Sequence, residues 1–158
     1  MTITAQLDAL LAVLTAWAAD FGAVPTAAAN RKDVLDFAQG DPTGLRVLLI
    51  FTGEQMPEEQ SQALVAWRTF SVVLVRPFGW TVRRAENLTT GDATQSPLLA
   101  LLESARNAIL SAQVGEHAEL WPRYTAMTEV DPGELLADVW QLDFTAGALL
   151  APLTEHVA

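Results

Sequence analysis

Cysteine is absent from this sequence of 158 residues, and basic residues are scarce. Without cysteine the chain has no disulfides, no thiolate nucleophile and no thiolate zinc ligands. Lysine and arginine together number 9 against 19 aspartates and glutamates, so the formal net charge is −10. Proteins that bind duplex nucleic acid usually carry a basic surface, because phosphate contacts supply much of their affinity. The composition therefore disfavours general nucleic-acid binding and suits either plain solubility or a surface that DNA passes without sticking.

Long apolar runs are also missing, although the chain is 51% hydrophobic. No 18 consecutive uncharged apolar residues occur, and residues 1–14 contain Asp8 and no positive segment. We therefore expect neither a membrane-spanning helix nor a signal peptide. A chain of this length buries roughly two thirds of its unfolded surface, which is enough for one core. We expect a single domain over residues 1–158.

Hydrophobic periodicity predicts six elements in the order α, β, β, α, β, β. Thr2 or Thr4 is expected to cap the first helix, which Phe21-Gly22 ends. The second helix is expected to start at Ser96-Pro97 and to stop at Gly115. Strands in hairpins with two helices on one face make an α+β fold, here with a mixed or antiparallel sheet of about four strands. The predicted bounds are helix 3–19, strands 45–52 and 64–76, a helix from 97, a strand near 124–128 and strand 138–146.

Two predicted features of the sheet are distinctive, the central hairpin and the last strand. Strand 64–76 is longer than most strands, so its hairpin with 45–52 is expected to have a protruding tip. The last strand alternates cleanly, with Trp140, Leu142, Phe144 and Ala146 on one face. Its other face carries Val139, Gln141, Asp143 and Thr145. This alternation indicates a strand with one face on the core and one face exposed or against a neighbouring subunit.

Catalytic motifs are lacking. The sequence contains no phosphate loop, nucleotide-binding glycine fingerprint, nucleophile elbow or HExxH pair. The two histidines, His117 and His156, lack metal-ligand spacing and are expected on the surface. Glu54, Glu58 and Glu59 form the one local carboxylate cluster, which is either a solvated tip or a site for a cation or for acid–base work. We therefore assign no catalytic, cofactor-binding or metal-binding residue.

Tryptophan is the other informative residue type, with five copies. Trp17 and Trp140 lie on predicted apolar faces and are interpreted as core. Trp80 and Trp121 fall in predicted loops. Because tryptophan is enriched at interface hot spots, these two are candidate contact residues.

The order of elements and several local patterns resemble one known family. An amphipathic helix is followed by an apolar strand that ends in Thr52-Gly53-Glu54, an acidic tip and a long strand from Trp67 to Val75. A helix and the strand Trp140–Thr145 complete the pattern. Over residues 3–146 this is similar to the tail terminator proteins of long-tailed bacteriophages and related tail-like particles.

The resemblance implies a structural virion protein and no enzyme or cofactor. Such proteins form a hexameric ring on the last ring of tail tube subunits, stop tube polymerisation and join the tail to the head connector. DNA passes through the ring without specific binding, and no membrane is involved. On this basis Glu54, Glu58 and Glu59 are expected to face the lumen or a neighbouring ring. Residues 1–146 are expected to form the core of the domain, and 147–158 are expected to be an extension.

Three other functions remain open at the level of the sequence. One is another head–tail neck or completion protein, which shares the assembly class but not the capping role. The second is a small metal-dependent hydrolase that uses Glu54, Glu58 or Glu59. The third is a monomeric ligand-binding module, which requires a concave apolar pocket.

Overall fold

A mixed five-stranded sheet and two helices form the described part of the chain, in a computed structural model. The structure describes residues 1–28, 45–56, 65–77, 97–115, 117–131 and 137–150. The α+β class predicted from the sequence is confirmed. The elements are α1 (Ile3–Ala18), β1 (Thr26–Ala28), β2 (Arg46–Gln55), β3 (Val65–Pro77), α2 (Leu98–Leu110), β4 (Arg123–Val130) and β5 (Ala137–Leu149).

Strand β3 lies at the centre of the sheet, whose order is β1-β2-β3-β5-β4. It pairs antiparallel with β2 on one side and with β5 on the other. The β3–β5 register runs without interruption from Val65 opposite Leu149 to Pro77 opposite Ala137. The predicted antiparallel pairing of β2 and β3 is confirmed, and the residues predicted to form a protruding tip lie outside the described residues.

Helix α1 starts and stops where the sequence predicts. The Thr2 hydroxyl accepts a hydrogen bond from the Ala5 amide at 3.1 Å, which satisfies one of the unpaired N–H groups of the first turn. A short 3-10 helix, Ala19–Phe21, follows and ends at Gly22. Gly22 has a φ of 67°, a left-handed conformation that glycine adopts at little cost.

Helix α2 is shorter than predicted. It ends at Leu110, and the prediction of a stop at Gly115 was wrong. The Ser111 hydroxyl donates to the Asn107 carbonyl at 2.8 Å, so a local side-chain bond takes up a carbonyl of the last turn. Pro97 is the N-cap residue rather than the first helical residue, with an extended ψ of 136°. Residue 96 lies outside the described residues.

The two helices pack together on one face of the sheet, which we call the helix face. Its core holds side chains from both helices and from β2, β3 and β5. Trp17 and Trp140 pack against this core, as predicted. The opposite face has a separate buried cluster at one end. The principal residues of the helix-face core are Leu10, Leu14, Val47, Leu49, Phe70, Val72, Leu74, Leu102, Ile109, Leu142 and Phe144.

The second face of the sheet, which we call the open face, changes character along the strands. At one end Leu48, Ile50, Val73, Val75 and Val139 are buried together. Towards the other end the exposure rises along β3 and β5, and the side chains become polar. The prediction for β5 thus holds in part, because Val139 and Gln141 are buried whereas Asp143 and Thr145 are half-buried.

Several strand bounds differ from the prediction. Strand β2 continues to Gln55 rather than residue 52, and β4 spans Arg123–Val130 around the predicted 124–128. Strand β5 continues to Leu149, so the first residues of the expected extension from 147 belong to the sheet. The fifth strand, β1, was not predicted, because Thr26-Ala27-Ala28 is too short to show a period and pairs only three residues of β2, in parallel.

Strand β4 is at one edge of the sheet and carries features that limit further strand pairing. Its register with β5 shifts between Tyr124 and Ala126, which is a β-bulge at Thr125. The strand is mostly exposed and carries Arg123 and Glu129 at its two ends. Bulges and charges are common protections of edge strands.

One described helical segment, Ile3–Phe21, has the length and hydropathy to cross a membrane. It spans 19 residues with a mean hydropathy of 1.2, and it lies near the N-terminus. A core helix of a soluble domain has the same length and hydropathy, so these two properties do not distinguish it from a membrane span.

We expect Gly147→Ala to lower the free energy of unfolding by about 1–3 kcal/mol, because the new methyl group overpacks the site. A Cβ at Gly147 would lie 2.5 Å from Leu120 Cδ2 and 3.2 Å from Leu120 Cβ. The matched control is Gly53→Ala in β2, where no atom lies within 4 Å of the new Cβ. Urea unfolding of both variants checks this, and equal losses would contradict it.

Candidate interaction site

Of the candidate residues from the sequence, the structure describes Glu54 and Trp121. Glu54 lies within β2, opposite Arg68, and not in a loop. Glu58, Glu59 and Trp80 lie outside the described residues. Trp121 follows a short 3-10 helix, Ala118–Leu120, and is half-buried with an extended backbone.

Glu54 is bound to an arginine at the end of the helix face. The Arg68 Nε donates to Glu54 Oε2 at 2.8 Å, and the arginine side chain is 5% exposed against 33% for the glutamate. Glu54 therefore lies in a strand rather than in the polar tip expected from the sequence, and Arg68 binds its carboxylate. An ion pair with one buried member has a structural role, because removing Glu54 would leave the charge of the buried Arg68 guanidinium without its partner.

Arg68 also joins helix α1 to the sheet. Its Nη1 donates to the Met1 carbonyl at 2.7 Å and to Gln6 Oε1 at 2.8 Å. Gln6 is fully buried, and its Nε2 donates in turn to the Gly147 carbonyl in β5 at 2.9 Å. One guanidinium thus connects the start of α1 with β2 and β3, and Gln6 extends the connection to β5. We call Arg68, Gln6 and Glu54 the arginine hub.

A second polar group lies in the middle of the open face. The Ser71 hydroxyl donates to Asp143 Oδ1 at 2.6 Å, and Gln141 Nε2 donates to the same oxygen at 2.7 Å. Ser71 and Gln141 are buried, whereas Asp143 is half-buried. Because the serine donates to a carboxylate and not to an imidazole, this arrangement lacks the general base of a serine nucleophile. It fixes the orientation of Asp143 on the sheet.

An aromatic–cation pair occupies the more exposed end of the open face. The Arg123 guanidinium carbon lies 4.5 Å from the centroid of the Trp67 ring. Arg123 Nη2 also donates to the Glu119 carbonyl at 3.1 Å. Between the two side chains runs β5, where Gly147 is opposite Trp67 and Thr145 is opposite Arg123. The small side chains of β5 at these positions let the arginine reach across the strand. We call Trp67 and Arg123 the stacked pair.

Sequence reasoning missed both the arginine hub and the stacked pair. Side chains of a strand point alternately to its two faces, and those of Arg68 and Phe70 point to the helix face. This alternation predicts that Trp67 lies on the open face. The contact of Trp67 with Arg123 could not be predicted from the sequence. Arg123 is 56 residues away, and whether its side chain reaches Trp67 depends on the register of β4 with β5. Likewise, no local sequence pattern indicates that the Arg68 side chain is buried.

The comparisons and the described side chains add no assignment of chemistry. Within the described residues, no three His, Asp or Glu side chains gather into a group that would hold a metal ion. His117 is exposed, and His156 lies outside the described part of the chain. No protein-family model matches the chain, and no curated protein matches it.

Replacing Arg68 by Met should lower the free energy of unfolding by about 2–4 kcal/mol, because Gln6 Oε1 loses its donor while buried. Glu54→Gln should cost less, about 1–2 kcal/mol, because the amide oxygen can still accept from Arg68 Nε and the bonds of Arg68 to α1 remain, while the buried guanidinium charge loses its counterion. Chemical denaturation monitored by tryptophan fluorescence measures both. A loss for Glu54→Gln as large as for Arg68→Met would show that the ion pair, and not the link to α1, dominates.

Proposed function

We propose that this chain is a structural protein of a phage tail or a phage-like particle. Its copies form a ring, expected to be a hexamer, that caps the tail tube, ends tube polymerisation and joins the tail to the head connector. The single observation that carries the proposal is the architecture. Apart from the short strand β1, the described elements run α, β, β, α, β, β with a long β2–β3 hairpin, and this is the order on which the resemblance to tail terminators rests.

The described surface is consistent with a partner-binding role. The open face presents Trp67 and Arg123, residue types that concentrate at protein–protein hot spots. The polar residues around them satisfy one another or remain half-exposed, as in the polar surroundings of an interface. A second candidate, a metal-dependent hydrolase at Glu54, is weakened because Arg68 occupies the Glu54 carboxylate.

The acidic residues near the hairpin take separate roles in this proposal. Glu54 stabilises the arginine hub, whereas Glu58 and Glu59 keep the lumen-facing or ring-facing role expected from the sequence. The formal charge of −10 suits a ring through which DNA passes, because negative charge on the wall disfavours sticking. No cofactor is needed for this role.

The first test is the mass of the purified protein by light scattering after size exclusion, over a range of concentrations, with negative-stain images of the same fractions. We expect rings of about six times the 17.1 kDa monomer, either alone or at high concentration. Added to the tail tube protein of the same particle during polymerisation, the chain should shorten the tubes and appear at one end. Tube lengths that do not change with added protein would overturn the capping role.

A double reversal, Glu58→Lys with Glu59→Lys, should preserve the fold but weaken ring stacking or make DNA adhere to the ring. Reversal of Glu54 would instead place two cations about 3 Å apart at Arg68 and is excluded from this test. DNA retention by purified rings at low and high salt provides the measurement. Identical retention and stacking in the variant would remove these two residues from the proposed lumen.

A further inference from the structure

We infer that the stacked pair of one copy binds the outer surface of α1 on a neighbouring copy. This inference rests on the proposed function, because it names the contact that would build the ring. It commits to a second copy of this chain as the occupant, with Arg123 meeting the Asp8 carboxylate of that copy's α1. Three observations on the described residues carry it.

The first observation is the distribution of charge. Each copy has a formal charge of −10, so two copies repel unless a cation lies in their contact. Of the arginines in the described ranges, Arg68 and Arg76 are buried, and Arg46 and Arg106 are half-buried. Arg123 is exposed. The exposed acids of the described ranges are Asp8, Asp20, Glu54, Glu103, Glu119, Glu129 and Asp131.

The second observation is that Arg123 is held in place before any partner arrives. The Trp67 ring supports one face of the guanidinium, and the Glu119 carbonyl accepts from Nη2. The remaining N–H groups are available in a fixed orientation, which lowers the conformational entropy lost on binding a carboxylate. Half-buried Trp67 supplies the adjoining apolar surface.

The third observation is the outer surface of α1, which lacks a covering element among the described residues. The segment Ile3–Phe21 has a mean hydropathy of 1.2, yet only 22% of its most apolar window is buried. Its charged residues are Asp8 and Asp20, both acidic and both exposed. The Thr15 hydroxyl donates to the Leu11 carbonyl at 2.7 Å, so this side chain adds little polarity outside. The outer surface of α1 is thus apolar and its charged residues are all acidic. Such a surface is complementary to the stacked pair, which presents a tryptophan beside an arginine.

The two surfaces lie on opposite sides of one domain. Helix α1 packs on the helix face through Leu10 and Leu14, whereas Trp67 and Arg123 lie on the open face. A contact between opposite sides is head-to-tail, and such a contact builds a ring when its rotation closes and an open filament when it does not. A face-to-face dimer would instead place two copies of Arg123 on the same side.

Charge exchange between the two surfaces tests the inference. Arg123→Glu and Asp8→Lys should each raise the protein concentration needed for half-assembly by at least about tenfold, as expected for loss of a charge pair inside an interface. The double variant should return to within about threefold of the wild type, because every copy then supplies both exchanged charges. Sedimentation velocity measures the concentration, and melting curves confirm that each variant folds.

Two matched controls are present in the chain. Arg106 lies 5.6 Å from the Tyr124 ring centroid, so Arg106→Glu makes the same charge change in a second cation–aromatic pair. Glu103→Lys on α2 matches Asp8→Lys on the same helix face. Both controls should assemble as the wild type does. Equal effects of Arg123→Glu and Arg106→Glu, or a double variant without recovery, would overturn the inference.

The outcomes separate this contact from the ring itself. Wild-type protein that forms open chains, weakened by Arg123→Glu and restored by adding Asp8→Lys, would keep the contact and refute the ring. A wild type that stays monomeric both alone and on tail tubes would overturn both proposals. Co-flotation of the wild type with phosphatidylcholine–phosphatidylglycerol vesicles, without self-association, would assign the outer surface of α1 to lipid and also overturn the contact.

Discussion

The uninterrupted pairing of β3 with β5 is the interaction on which the rest of the structure depends. It brings Phe70 opposite Phe144 and Val72 opposite Leu142, so the centre of the helix-face core forms from one register. The same register places Ser71 opposite Asp143 on the open face. Because a shift by one residue would exchange the two faces, the core and the open-face polar group are specified together.

The arginine hub is the second constraint, and it acts on the helix rather than on the sheet. Helix α1 has no basic residue in its last turn and no acidic residue in its first turn, so charge–dipole effects contribute little to its position. Its packing through Leu10 and Leu14 is apolar and non-directional. The bonds from Arg68 to Gln6 and to the Met1 carbonyl are directional and hold the start of the helix against β3. Apolar packing thus contributes most of the free energy that holds α1 on the sheet, and the directional hydrogen bonds determine how α1 is aligned with the strands.

Features formed by residues close together in the chain could be predicted from the sequence, whereas features that join distant residues could not. Helix α1, the β2–β3 hairpin and the inward face of β5 each have a strong period within their own residues, and the sequence predicts them. The C-terminus of α2 was predicted too far along the chain. Gly115 was expected to cap the helix, but the Ser111 hydroxyl already satisfies a carbonyl of the last turn. The stacked pair and the arginine hub join residues far apart in the chain, so they depend on strand order and register. The role of Glu54 changed for this reason, since its partner becomes its neighbour only when β2 pairs with β3.

The bulge at Thr125 in the edge strand has a consequence for how an assembly of this chain would behave over time. A sheet that continued from copy to copy through β4 would be joined by backbone hydrogen bonds, and leaving it would require breaking a whole ladder at once. The interrupted register and the charges at both ends of β4 disfavour that route. Copies joined through side chains can dissociate and re-add individually, so a ring assembled out of order would be able to correct itself.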